Sequence, residues 1–463
     1  MYSSQTSPNH IAGYQSWAPH NSGDIKFSDN LKFFWRYQVN WSYMRYFMWN
    51  FAGRQNDVMN MDGNEVFGNW ESGIGYSSEG MPSELKDNKA KNHYFFLPLL
   101  IGLVGVFFHF KSQKTDALSV LLFFLFTGIF IILYLNVPPY QPRERDYAYV
   151  GSFYAFAIWI GIGVLGIFDL LKRMNALNGR TAAVISTISC LIAAPLLMAT
   201  ENWDDHNRTG RSIAFDVGKN YLSYLDSNAI IFSNGDNDTY PLWYVQEVEG
   251  IGVNAKNVNM SLLGMSYYID QVKRKTYSAD GVPSQLTHSF FKGDLVNMGA
   301  KRVTVTKSKK YVPIKEAIKR IDSLGTCPKK IKIPINNKER NNPLWSNKTI
   351  PESIKLTIKG KPLGDGQTRI LDQSNIALLD ILANFNWERP LYFISAQQTL
   401  DLFIIKKNND PGLLNYLQTE GAVQRLVPFN TYQERVNIDK SYDLLMNKYN
   451  YGNINDENIY VGY

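Results

Sequence analysis

Cysteine is nearly absent, with two residues in a chain of 463. Cys190 lies inside an apolar run and Cys327 far outside it, so neither a disulfide framework nor a zinc spacing can be built from them. A strong charge of one sign is also missing. The net charge of +7 is dispersed along the chain, with no basic helix and no recognisable RNA- or DNA-binding motif. Nucleic acid is therefore not an expected partner, and an anionic membrane surface fits the weak basic excess better. No phosphate-binding glycine loop, serine nucleophile elbow or zinc-protease motif occurs, which removes the familiar soluble-enzyme templates. Residues 1–30 are polar and carry Pro8, Gly13, Pro19 and Gly23, without the basic start and apolar core of a secretory signal.

Long apolar runs are present, and nearly all lie between residues 94 and 200. Four stretches, 94–110, 117–137, 148–171 and 182–200, each approach the ~20 residues needed to cross a bilayer core. Short polar loops separate them, so buried helices of a soluble domain are the weaker explanation. Tyr94, Tyr134, Tyr147 and Tyr149 fall at their ends, where interface aromatics are expected. Before them, residues 31–51 (LKFFWRYQVNWSYMRYFMWNF) are densely aromatic but carry Lys32, Arg36 and Arg45, a pattern for a helix in the interface or packed on spans.

Lys111, Lys114, Lys172, Arg173 and Arg180 sit in the first and third loops, against Arg143 and Arg145 in the second. The positive-inside rule then puts the first and third loops in the cytoplasm, and residues 1–92 and 201–463 outside. Nothing in residues 1–92 would carry them across a membrane, so we expect a missing upstream portion, from a split gene or a start at an internal Met.

After residue 200, short apolar runs alternate with helical patterns. Residues 228–234, 257–263 and 391–395 read as strands, and 212–225, 242–248, 265–272 and 376–385 as helices. Such alternation predicts a soluble α/β domain with a mainly parallel sheet. The lysine-rich segment near 301–361 reads as an insertion or small β-rich subdomain. The expected fold is therefore a membrane α-helical unit of four spans and an aromatic interfacial helix, followed by this domain.

Three polar stretches carry candidate chemistry. In the second loop, VPPYQPRERDYAY, prolines restrict Arg143, Glu144, Arg145 and Asp146. The arginines could clamp a lipid-linked phosphate; alternatively the four charges neutralise one another. ENWDDHNRTGR sets His206 among carboxylates and arginines, as a proton-transfer or metal group or as a solvated linker; Arg54 and Asp57 of GRQND pose the same choice. Asp236 and Asp238 of NGDNDTY follow a predicted strand, where a parallel sheet faces its ligand. They could hold a cation or sugar hydroxyls, or simply cap a helix.

Taken together, FFWRYQVNWSYMRYFMWNFAGRQND, NVPPYQPRERDYAYVGSFYAF, ENWDDHNRTGR and NAIIFSNGDNDTYPLWYVQEVEGI resemble the C-terminal part of a large Bacteroidota membrane-protein family. That family is grouped with protein O-mannosyltransferase-like glycosyltransferases of the GT-C type. The resemblance implies a multispanning enzyme of the bacterial inner membrane that moves a sugar from a polyprenyl-phosphate donor to a protein or glycan acceptor on the outer face. It places the catalytic acid in an outward loop upstream of Met1, and so assigns no catalytic residue here. Arg54, Asp57, Arg143, Arg145 and Asp146 carry over as donor or lipid-phosphate residues, and Asp236, Asp238 and His206 remain acceptor or ligand candidates. Lipids of the inner membrane and a separately encoded N-terminal half are the implied partners. No cofactor is assigned, and a divalent cation stays open. The alternative functions are a non-enzymatic membrane-anchored binding or assembly module, and an extracytoplasmic metal-dependent hydrolase using Asp236, Asp238 and His206.

Overall fold

The computed structural model describes residues 8–19, 25–60, 63–75, 80–140, 143–173, 178–292, 302–363, 367–403 and 412–452. Two compact units divide near residue 210. In the first, Phe27–Phe33, Phe34–Met44 and Arg45–Phe51 run into one another as a single helical rod. Its middle eleven residues are wound as a π-helix, a rare form that widens the turn and is enriched at functional sites. The rod buries Tyr37, Val39, Trp41, Tyr43, Tyr46, Phe47, Trp49 and Phe51. Phe47 and Phe51 pack edge-on or tilted against Phe153 and Phe156, so the aromatic helix is clamped to a span. A two-stranded ribbon follows, β1 (Gly53–Arg54) antiparallel to β2 (Asn92–His93).

Among the described residues, three helices are long and apolar enough to cross a membrane: Lys114–Leu135, Asp146–Arg173 and Gly179–His206. The expected fourth span is a shorter apolar helix, Leu97–Ser112. Phe95 and Phe96 adopt left-handed backbone angles (φ 52° and 60°), so the apolar residues at 94–96 precede the helix instead of extending it. At ~1.5 Å per residue its 16 residues reach ~24 Å, short of a ~30 Å hydrocarbon core. This helix packs closely on Asp146–Arg173: a Cβ on Gly105 would lie 1.8 Å from the Trp159 carbonyl oxygen, and one on Gly163 2.2 Å from that of Ile101. Small residues that let backbones touch are how helices associate in lipid. Of the four end tyrosines, Tyr134 and Tyr147 are exposed, whereas Tyr94 and Tyr149 are buried within the protein.

The second unit is built on a five-stranded sheet. Its centre is β3 (Ile230–Ser233), with β4 (Lys256–Asn259) on one side and β5 (Leu391–Phe393) on the other, all parallel. β6 (Leu417–Glu420) and β7 (Val423–Leu426) form a hairpin whose β7 joins β5 antiparallel, so the order is β6-β7-β5-β3-β4. Two smaller sheets of four and three strands occupy the 302–371 region, and each contains parallel and antiparallel pairs. The sheets are thus mixed, not mainly parallel as the helix–strand alternation implied. A tight turn at Gly421 (φ 65°) returns the chain as a hairpin, and hairpins need no crossover helix. The amphipathic helix Ile314–Leu324 buries Ile314, Ala317, Ile318 and Ile321 beneath these small sheets, in a stretch that reads as merely lysine-rich.

Candidate functional site

In the first unit a cavity of about 210 Å³ lies where two spans end. Leu135 closes one span and Tyr147 to Tyr149 begin the next; the π-helical rod supplies Tyr37, Trp41, Arg45 and Tyr46, and the intervening loop Arg143, Glu144 and Arg145. The loop is held by its carbonyls: Tyr37 Oη donates to Pro138 O (2.9 Å) and Gln38 Nε2 to Val137 O (2.7 Å). Left-handed Asn136 and Tyr140 (φ 39° and 59°) turn the chain out of its helix. Gln141 and Pro142 of this loop lie outside the described residues.

Glu144 is the loop's anchor. Arg45 Nη1 and Nη2 donate to its two oxygens at 3.2 and 2.7 Å, Tyr46 O–H donates to it, and Asn60 N–H adds a contact at 3.3 Å. Burial pushes its pKa up, but Arg45, Tyr46 and Asn60 outweigh that and hold it below the ordinary carboxylate range. Arg45 is itself fully engaged. Its side chain is 3% exposed, donates to Trp41 O (3.1 Å) and Gly68 O (2.6 Å), and lies over the rings of Trp41, Tyr46 and Trp49 at 4.3, 4.5 and 4.7 Å. The charged quartet therefore does not neutralise itself. Arg143 is exposed, 5.8 Å over Tyr147. The Arg145 backbone N–H donates to Tyr46 Oη (3.2 Å), while its side-chain Nε is buried with no hydrogen-bond partner. Among the described residues neither arginine forms a salt bridge.

Arg54 connects the remaining motifs. It sits on β1, donates from Nε to Asn56 O (3.2 Å) and stacks 4.2 Å over Trp49. Burial lowers its pKa, against the opposing fields of Asp57, Asp146, Asp205 and Glu144. GRQND, RERD and ENWDDH are thus electrostatically coupled at one guanidinium. Asp57 accepts from Asn88 Nδ2 at 2.7 Å. The Asp205 side chain is only 7% exposed and lies 2.6 Å from Nδ1 of the exposed His206. Glu201 accepts the His93 N–H (2.9 Å) and Asn202 Nδ2 donates to Tyr94 Oη, which fastens the last span to the ribbon. Arg45 and Asp205 have central roles that the sequence reading did not assign; an arginine set among Trp41, Tyr46 and Trp49 was the available signal for the first.

In the second unit, Asp236 and Asp238 fall in the first turn of the Gly235–Glu247 helix. Asp238 Oδ2 accepts the Asn234 N–H (3.3 Å), and Asp236 is exposed. Both suit the positive end of a helix dipole. His206 belongs to the first unit and these two acids to the second. Among the described residues, no group of three or more His, Cys, Asp or Glu side chains is arranged to hold a metal ion.

Residues 214–443 match the family model described as TMEM260-associated domain 2. The match spans just under half of the chain and takes in the five-stranded sheet, with Asp236 and Asp238. It stops short of the first unit, so Arg54, Arg143 and Arg145 lie outside the matched residues. No curated protein and no solved structure matches the chain.

Proposed function

We propose that this chain is the C-terminal portion of a membrane glycosyltransferase, moving a sugar from a polyprenyl-phosphate donor to a protein or glycan acceptor at the outer face of a bacterial inner membrane. The observation that carries the reading is the cavity at the span ends. Among the described residues its one lining carboxylate, Glu144, is committed to Arg45, and neither Arg143 nor Arg145, set against an aromatic wall, forms a salt bridge. A polyprenyl phosphate offers the matching chemistry: an anionic head for guanidinium forks and an apolar tail for the spans. The match of the second unit to a domain family linked to TMEM260, an O-mannosyltransferase-like protein, lends support. The GT-C type, the Bacteroidota affinity and a separately encoded N-terminal half belong to the same proposal.

In this mechanism an acceptor hydroxyl oxygen forms a bond to the anomeric carbon as the bond from that carbon to the phosphate oxygen breaks. The electron pair leaves with the phosphate, and the hydroxyl proton passes to a base contributed from outside the residues assigned here. Arg145, assisted by Arg143, stabilises the growing phosphate charge in a site of low dielectric. Arg54, ringed by carboxylates, is a positioning residue that ties the RERD loop to the ribbon. The second unit presents the acceptor.

The test is sugar transfer from a polyprenyl-phosphate donor to endogenous acceptors in membranes containing the complete protein. Arg145→Ala should lower transfer about 100-fold, the scale of losing one preorganised donor to developing charge, and Arg143→Ala by less. Transfer that survives both substitutions with the protein still inserted would overturn the proposal, as would transfer that is absent in the unaltered protein.

A further inference from the structure

A second cavity, of about 380 Å³, runs beside β4 in the second unit. β4 is the free edge of the five-stranded sheet, and its sequence is peculiar for a buried strand. Lys256, Asn257 and Asn259 are all buried, with Val258 as the one apolar residue. Polar groups at that depth need partners. Lys256 Nζ donates to Arg274 O (2.8 Å) and Thr276 Oγ1 (2.5 Å). Asn259 Nδ2 donates to Thr239 Oγ1 (2.8 Å), and its Oδ1 accepts the Leu262 N–H (3.0 Å). Asn257 is the exception. Its Oδ1 accepts from Ser233 Oγ (2.9 Å), while its Nδ2 is enclosed within the protein without a partner and the rest of the side chain contributes to the cavity wall.

The walls define what the cavity can hold. Trp243, Tyr267 and Tyr277 line the cavity, and the two tyrosines are 62% and 55% exposed, so large ring faces stand open to solvent. Gln271, exposed at the rim, makes no side-chain hydrogen bond among the described residues. Charge is already committed: Lys256 is engaged as above, and Glu247 accepts the Tyr277 O–H (2.5 Å). A neutral ligand with hydroxyls on its edges and C–H groups on its faces suits such a site, since amides bond the hydroxyls and aromatic rings cover the C–H face. An extended peptide adding to the edge strand fits less well. Parallel pairing turns Lys256 and Val258 toward β3, leaving Asn257 and Asn259 to face outward. Tyr268 Oη already accepts the Asn259 N–H at 2.9 Å, so of the outward-facing residues of β4 only Asn257 still offers an N–H. A blocked edge of this kind discourages strand addition.

We propose that the groove between β4 and the helices Gly235–Glu247 and Ser266–Val272 binds a neutral saccharide, with Tyr267 and Trp243 covering a pyranose face and the exposed Gln271 amide bonding a ring hydroxyl. This rests on the second unit alone and stands whether or not the first unit transfers sugar.

The experiment uses the full chain in lipid nanodiscs, because glucoside and maltoside detergents carry competing sugars. Fluorescein-labelled neutral tri- and tetrasaccharides of hexoses and N-acetylhexosamines are titrated by fluorescence polarisation. At least one should bind, and Tyr267→Ala should weaken it tenfold or more with thermal unfolding unchanged, since that side chain is exposed; Tyr267→Phe should retain binding. Trp243→Ala should weaken it comparably, and Arg145→Ala not at all, which separates this site from the transfer site. Absence of binding for the whole panel at millimolar saccharide, or unchanged affinity in Tyr267→Ala, overturns the proposal. Capture of an unglycosylated extended peptide in the groove, with no saccharide bound, would do the same.

Discussion

The loops at Arg143–Asp146 and at Asn234–Asp238 look alike as sequence: each follows an apolar element, each is dense in charge, and each precedes a helix. In the structure they differ in what remains after the local hydrogen bonds are made. In the second, Asp238 accepts an N–H four residues back and Asp236 faces solvent at a helix N-terminus, so the acids serve the helix. In the first, the only carboxylate among the described residues lining the cavity is taken by an arginine 99 residues away, and two guanidinium groups are left without a salt bridge there. What distinguishes a site from a capped turn here is the charge that long-range partners leave uncompensated, and not the charge density of the motif.

The comparison breaks most sharply at the Arg45–Glu144 pair. Glu144→Gln should destabilise the detergent-solubilised protein by roughly 3–5 kcal/mol, because it strands a buried guanidinium. Replacing both partners, Arg45→Met with Glu144→Leu, should recover much of that loss, since an apolar pair of similar size needs no desolvation. Thermal unfolding of the single and double variants measures this. A Glu144→Gln midpoint equal to that of the unaltered protein would mean that the loop is anchored elsewhere.

Much of the contrast between the two units was legible in the sequence. Apolar runs at 117–137, 148–171 and 182–200 mark the three spans because lipid-facing helices must be apolar over their full length. Strands at Ile230–Ser233 and Leu391–Phe393 fell within their expected runs, whereas the run 257–263 is strand only to Asn259 and then enters a 3-10 turn at Leu262–Gly264. The Leu97–Ser112 helix was overread because composition does not report the left-handed Phe95 and Phe96 that delay its start. The antiparallel β6–β7 hairpin escaped for a related reason: strand order and direction depend on pairing between distant residues. Arg143 and Arg145 could be singled out by type, but their freedom could not, since it depends on Arg45 reaching Glu144 from another helix.

A smaller effect comes from pH, and it should have opposite signs in the two units. Glu144 is held below the ordinary carboxylate range, so its folded form binds its proton less readily than the unfolded chain. Stability from Arg45–Glu144 is present above the unfolded carboxylate pKa and is lost as pH falls through the depressed folded value. Asp380, in the Gln373–Asn384 helix, is shifted upward: burial dominates over the hydrogen bonds from Ser284 and the Gln285 and Leu286 N–H groups. Its contribution is greatest below the unfolded pKa and declines as pH rises through the raised folded value. Acid titration should therefore loosen the first unit while relieving this strain in the second. Hydrogen exchange resolved by unit, at pH 7 and at pH 4, checks it; parallel losses of protection at both sites would show that the two acids do not set the pH response.

The smallest effect belongs to the capped turn itself. Asp238→Ala removes an acceptor from the first turn of the Gly235–Glu247 helix and should cost about 1 kcal/mol, the usual scale for a lost cap. Asp236→Asn, at an exposed position, should cost ~0.5 kcal/mol or less through the helix dipole. Neither should alter sugar transfer, whereas Arg145→Ala should lower it about 100-fold with little change in unfolding. If Asp238→Ala instead eliminated transfer at unchanged stability, the two loops would be alike in function as well as in sequence. The partner test would then have failed to separate them, and a ligand at the carboxyl end of β3 would have to be sought.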